Sequence, residues 1–159
     1  MASDSIRFIL FLLLGTFCFS QNIEAYAQIH CPRLTYAEVP FYPPVPWGMH
    51  FGGVVEIQIK IENGTIRDAQ LKRATIEPQD GDKDKYTKAA EDKLLPYLTT
   101  PSLNNLKIWR FVPEQQGKFV VTFIYRLEGE ETLEPETPKV ELELPIIRVT
   151  ARPFKPTRS

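Results

Sequence analysis

The sequence is poor in the residues that build cross-links and metal centres, with two cysteines and two histidines in 159 residues. His30 and Cys31 are adjacent, His50 stands apart and Cys18 lies inside an apolar run. A closed zinc site needs about four ligands at set spacing, so no metal or other cofactor is expected. Once Cys18 leaves with its run, Cys31 cannot close an internal disulfide. The fold must then rest on its core, and Cys31 is either a tolerated thiol or a link between chains. An excess of one charge is also missing, since 19 basic residues face 20 acidic ones. That balance offers no electrostatic footprint for DNA, RNA or an anionic lipid surface. No nucleophile elbow or comparable catalytic string is present, and the paired carboxylates Glu130 and Glu131 fall in a linker, so no enzyme is expected.

Long hydrophobic runs are lacking as well. Arg7 precedes an apolar run over 8–19, a polar stretch follows, and Ala25-Tyr26-Ala27 stands before Gln28. This is the layout of a secretory signal peptide. The run is shorter than the roughly 20 residues that span a bilayer as a helix, which favours cleavage after Ala27 over a permanent anchor. Phe17 before Cys18 argues against lipidation, which needs a small residue there. Cleavage removes Arg7 from the basic set and Asp4 and Glu24 from the acidic set, leaving the two signs equal. The expected location is the periplasm or cell envelope, with membrane contact only if the run is retained.

What the chain has in excess is proline, 14 residues. They gather at 40–46 and 135–156, where they read as extended connectors. The expected organisation is a signal peptide at 1–27, a proline-rich arm at 28–48, a folded domain at 49–128, a linker at 129–138, an extra β-hairpin at 139–151 across Pro145, and a flexible tail at 152–159. A short helical turn is expected near 43–47.

Within the domain, Val55, Ile57, Ile59 and Ile61 alternate with polar residues and lead into Asn63-Gly64. Period two ending in Asn-Gly is the strongest short-range hairpin signal, because these residues accept the positive φ of a type I′ turn. That role also explains Asn63-Gly64-Thr65, which matches a glycosylation sequon. After Ile66 the next apolar positions, Ala69 and Leu71, are offset, so a β-bulge is expected around Arg67-Asp68. A helix is expected over 87–95 until Pro96 stops or kinks it. Thr100-Pro101 would then cap one further turn over 102–106. Residues 108–112 are expected to be extended, and residues 119–127 form the longest apolar strand. The core is assigned to Val55, Ile57, Ile59, Ile61, Leu71, Leu94, Trp109 and Phe111.

Four local strings, in order, resemble the C-terminal domain of TonB-type energy transducers: Tyr42-Pro43, residues 53–61 with Asn63-Gly64, Trp109-Arg110-Phe111-Val112-Pro113, and residues 119–127. The resemblance covers 42 to about 128. It implies an α+β fold, a small two-layer domain in which one main helix packs on an antiparallel sheet, here with a C-terminal strand pair added. It also implies a protein or peptide partner, an outer-membrane transporter among them, bound by β-strand addition. The residues this assigns to partner binding are Tyr42 and Pro43 of the arm and the edge strand Phe119, Val120, Val121, Thr122, Phe123, Ile124, Tyr125 and Arg126. Two departures qualify the transfer: the apolar run reads as cleaved, and residues 139–151 supply strands able to pair with the same edge. The alternatives are a membrane-anchored minimal energy transducer and a self-associating homodimer joined edge to edge.

Overall fold

The computed structural model describes residues 32–81 and 85–155. The expected leader with its cleavage point, Cys18, His30, Cys31 and positions 156–159 lie outside the described residues. Among those that are described, no helix is long and apolar enough to cross a membrane.

The alternation ending in Asn63-Gly64 produces two long antiparallel strands, β2 and β3. With the rest of the chain they follow the order β1 (Leu34–Tyr36), α1 (Pro44–Gly48), β2 (Phe51–Glu62), β3 (Thr65–Pro78), α2 (Lys88–Leu94), α3 (Pro96–Lys107), β4 (Arg110–Phe111), β5 (Gly117–Leu127), β6 (Lys139–Glu143) and β7 (Ile146–Ala151). The protein is α+β, with few helices and a curled seven-stranded sheet in the order β1-β4-β3-β2-β5-β7-β6. Asn63 and Gly64 both take positive φ, 50° and 70°, as a type I′ turn requires. A Cβ on Gly64 would also meet the backbone oxygen of Phe111 at 2.5 Å.

Two register shifts break the β2–β3 ladder. They leave Arg67 and Lys72 without a partner on β2, so the expected bulge near Arg67 has a second one beside it. Leu71, assigned to the core, sits between them and is 46% exposed. It lies on the core-facing side opposite Ile57, but β3 pairs with β4 only at Thr65, so no strand outside covers it. The other assigned core residues, Val55, Ile57, Ile59, Ile61, Leu94, Trp109 and Phe111, are buried.

The helices differ from expectation in one respect. Thr87 does cap α2, its side chain accepting from Ala90 N–H at 3.3 Å. Beyond the break at Leu95 and Pro96, however, α3 runs unbroken to Lys107 with Pro101 inside it, and Thr100 caps nothing. Pro101 lacks the N–H that would bond the carbonyl of Tyr97 one turn back. Tyr97 is exposed, and the helix continues past the missing bond. α3 buries Leu98, Thr99, Ser102 and Leu106 against the face of the sheet carrying Val55, Ile57, Ile59, Ile61, Val121, Phe123 and Tyr125. Among the described residues no helix lies on the opposite face of the sheet, which carries Glu56, Gln58, Lys60 and Arg148, the half-solvated arrangement usual for antiparallel sheets.

β6 and β7 pair antiparallel across Pro145, but β7, not β6, lies against β5, and it lies parallel to it. The composition of the two strands accounts for the choice. Alternate residues of β7, Ile147, Val149 and Ala151, are buried, whereas none of β6 is, and the more apolar strand takes the interior place. Residues 152–155, expected to belong to a free tail, are held in place. Trp47 Nε1–H donates to the Arg152 carbonyl, the Phe154 ring meets Trp47 edge-on at 5.3 Å, and His50 Nε2 lies 2.9 Å from the Phe154 carbonyl.

Candidate functional site

A sheet recruits an extended peptide through backbone groups that its own strands leave unpaired, so the direction of each outer N–H and C=O decides where a site can be. Thr122 N–H donates to Pro145 O and Glu128 N–H to Ala151 O, both at 2.9 Å. Even-numbered amides of β5 therefore point to β7, and because backbone groups alternate along a strand, the odd-numbered ones bond β2. β7 occupies β5 over 122–127. The edge assigned to partner binding is thus closed along Thr122, Phe123, Ile124, Tyr125 and Arg126, and among the described residues no strand lies beside the outward groups of Lys118 and Val120.

The side chains of the assigned site divide in the same way. Val121, Phe123 and Tyr125 are buried in the core, Phe119, Thr122 and Ile124 are half-buried, and Val120 and Arg126 are exposed on the helix-free face. Tyr42 is 2% exposed, which makes it a core residue and not a contact surface. Its ring meets Tyr125 edge-on at 5.7 Å and its hydroxyl donates to the Phe51 carbonyl at 3.0 Å. Pro43 is buried yet lines an apolar groove with Phe41, Val45, Tyr97 and Pro101.

Burial raises the pKa of Tyr42 well beyond the usual phenol range, with repulsion from Tyr125 and Glu77 adding to it. Burial also pushes Tyr125 up to about 12, against a smaller lowering from its contact with Ser102 Oγ at 2.8 Å. Both phenols stay neutral in the fold at a pH where an unfolded chain ionises them. Their contribution to stability is whole below the ordinary phenol value of 10.0 and is lost as the pH climbs through about 12, where Tyr125 itself ionises, because the unfolded chain releases protons that the fold retains. Phenolate absorbance from these two residues should therefore appear only together with loss of circular dichroism. Complete ionisation of every tyrosine with the dichroism intact would contradict their burial.

On the other side of the sheet, β3 is paired outward only at Thr65 among the described residues. The β2–β5 register sets Tyr125 opposite Gly53 and Phe123 opposite Val55, which turns the even-numbered groups of β2 toward β3. There Val54 faces Thr75 and Glu56 faces Arg73. The N–H and C=O of Ala74 and Ile76 consequently point away from the sheet, and no described strand lies beyond them. Residues 73–77 are in regular register. Residues 67–72 are interrupted by the two bulges, whose cationic side chains blunt that stretch against strand pairing.

Beside the regular stretch, α2 forms the second wall of a groove of about 570 Å³, lined by Arg73, Ala74, Ile76 and Glu77 from the strand and by Lys88, Glu91 and Leu95 from the helical side. Ala74 and Ile76 are half-buried and abut the core. Charges of both signs surround the opening, and Lys88 already reaches Asp92 at 3.1 Å. An open strand facing a helix across a groove can seat one extended chain, giving it hydrogen bonds on one side and apolar contact on the other. This edge was not assigned from the sequence, since β3 reads as an ordinary hairpin partner and nothing in its residues says that the next strand stops at Thr65.

A scan against protein-family models finds no match, and neither does a search of the curated proteins. Among the described residues no group of three or more His, Cys, Asp or Glu is placed to hold a metal ion. The backbone rim of β3 with its facing helix is the arrangement whose geometry suits an extended chain.

Proposed function

We propose that the chain is an exported protein-binding module of the cell envelope, without a catalytic role, which takes an extended segment of a partner protein by β-strand addition. The TonB C-terminal resemblance supports the mode, since a helix-covered sheet that recruits a strand is what that family implies. The single observation that carries the reading is the outward-pointing backbone of Ala74 and Ile76 facing α2 across an open groove. In a TonB-like arrangement the visitor would add beside β5, but β7 fills that side here, so the receiving edge becomes β3.

A panel of extended peptides displayed in random sequence and selected on the full chain tests the proposal. Selected binders should compete with one another, and Ala74→Pro should weaken their capture. Proline removes an N–H that the fold does not use and is tolerated at a strand edge facing solvent, so thermal stability should change little. The loss of one of the few hydrogen bonds available to so short a segment should weaken binding roughly ten-fold or more. Binders whose affinity is untouched by Ala74→Pro would contradict the assignment.

A further inference from the structure

The far edge of the sheet is β6, and its outward groups follow from the same alternation. The carbonyls of Pro145 and Ala151 face β5, so even-numbered groups of β7 turn to β6, with Ile146 opposite Glu143, Arg148 opposite Glu141 and Thr150 opposite Lys139. The N–H and C=O of Val140 and Leu142 are then left pointing outward, and no described strand lies beyond β6.

This short segment, Lys139-Val140-Glu141-Leu142-Glu143, is complementary to itself in one antiparallel register. We propose that β6 is the contact between two copies of this chain, joined about a two-fold axis at Glu141. In that register Val140 of each copy lies opposite Leu142 of the other, which satisfies all the outward N–H and C=O groups of both residues. Lys139 of each copy lies opposite Glu143 of the other, giving two cross-strand ion pairs. Glu141 lies opposite itself, and within each copy it has two cations beside it, Lys139 Nζ at 2.7 Å and Arg148 opposite it on β7. Val140 and Leu142 project to the side that packs on the core, so the apolar layer continues across the axis.

Neighbouring registers are worse for stated reasons. Sliding by two residues one way sets Glu141 opposite Glu143. Sliding the other way brings Pro138 into the ladder, where it has no N–H to give. The charged residues that keep unrelated strands off an exposed edge here select one partner, a second copy. The interface is isologous, as a two-fold contact must be, and it leaves both β3 grooves free, on the far side of each copy's sheet from β6.

Sedimentation equilibrium of the full chain tests this, run with a reductant so that a Cys31 bridge cannot imitate the contact. The wild-type chain should be dimeric. Lys139→Glu and Glu143→Lys should each weaken the dimer roughly ten-fold or more, because two attractive pairs become two repulsive ones. The double variant carrying both substitutions restores the opposite-charge pairs and should restore the dimer, while Glu56→Lys on the helix-free face should leave it unchanged. A monomeric wild-type chain would overturn the proposal. So would a dimer indifferent to either single reversal, or a double variant that melts like the wild type yet stays monomeric. Should the double variant fail to fold, amide exchange of wild-type Val140 and Leu142 decides instead: protection that grows with protein concentration supports the contact, and protection independent of concentration overturns it. None of these outcomes touches the β3 groove, so peptide capture there stands or falls separately.

Discussion

Ending the chain at Glu128 should cost the domain most of its stability, and the melting temperature should fall by roughly 15–30 °C. The expectation rests on where β7 lies. Ile147 and Val149 have no solvent exposure, and burying a side chain of this size is worth about 1.5–3 kcal/mol, so the two together contribute about 3–6 kcal/mol. A domain of this length typically has only about 5–15 kcal/mol in total. Truncation would also bare Phe123 and Tyr125 and release the inner hydrogen bonds of β5. A shortened chain that melts within a few degrees of the intact one would mean that residues 139–151 are a detachable plug over the β5 edge, and strand addition at β5 would be restored as the leading site.

Trp109→Ala is the second large effect. The indole has no exposure, its ring centre lies 6.4 Å from that of Phe123 and its N–H donates to Asn105 Oδ1 at 3.0 Å. Removing it should cost about 3–5 kcal/mol in chemical denaturation. Leu71→Ala gives the contrast. The same chemistry at a site 46% exposed between two bulges should cost less than about 1 kcal/mol. Equal losses at the two positions would show that Leu71 is packed as the alternation of β3 alone suggests, and that its edge is covered.

The difference between these residues marks what could be read from the chain. Strict alternation over 55–61 and the turn at Asn63-Gly64 specify β2, β3 and one bulge, because a single local rule governs each. The second bulge at Lys72 left no mark, since a shift of one residue between Leu71 and Ala74 is also consistent with an unbroken strand. Pro96 and Pro101 look alike in sequence, yet one begins a helix and the other sits within it, and no local rule in the residues around them tells the two apart. The β6–β7 hairpin follows from alternation on both sides of Pro145. Its parallel docking on β5 is a long-range choice between two strands, settled by which is more apolar.

The candidate site was the least legible part. A side-chain pattern shows which face of a strand is buried, and for 119–127 that pattern is strong. Whether an edge is open depends instead on where neighbouring strands end, and neither the stop of β4 after Thr65 nor the insertion of β7 beside Thr122 is written in residues 119–127 or 73–77.

Residue-resolved amide exchange on the free protein therefore bears most directly on the open-edge reading. Ala74 and Ile76 should exchange quickly while Thr75 and Glu77 beside them are protected, and Thr122, Ile124 and Arg126 should be slow because their N–H groups are bonded to β7. Slow exchange at Ala74 and Ile76, with Thr122, Ile124 and Arg126 fast, would contradict it.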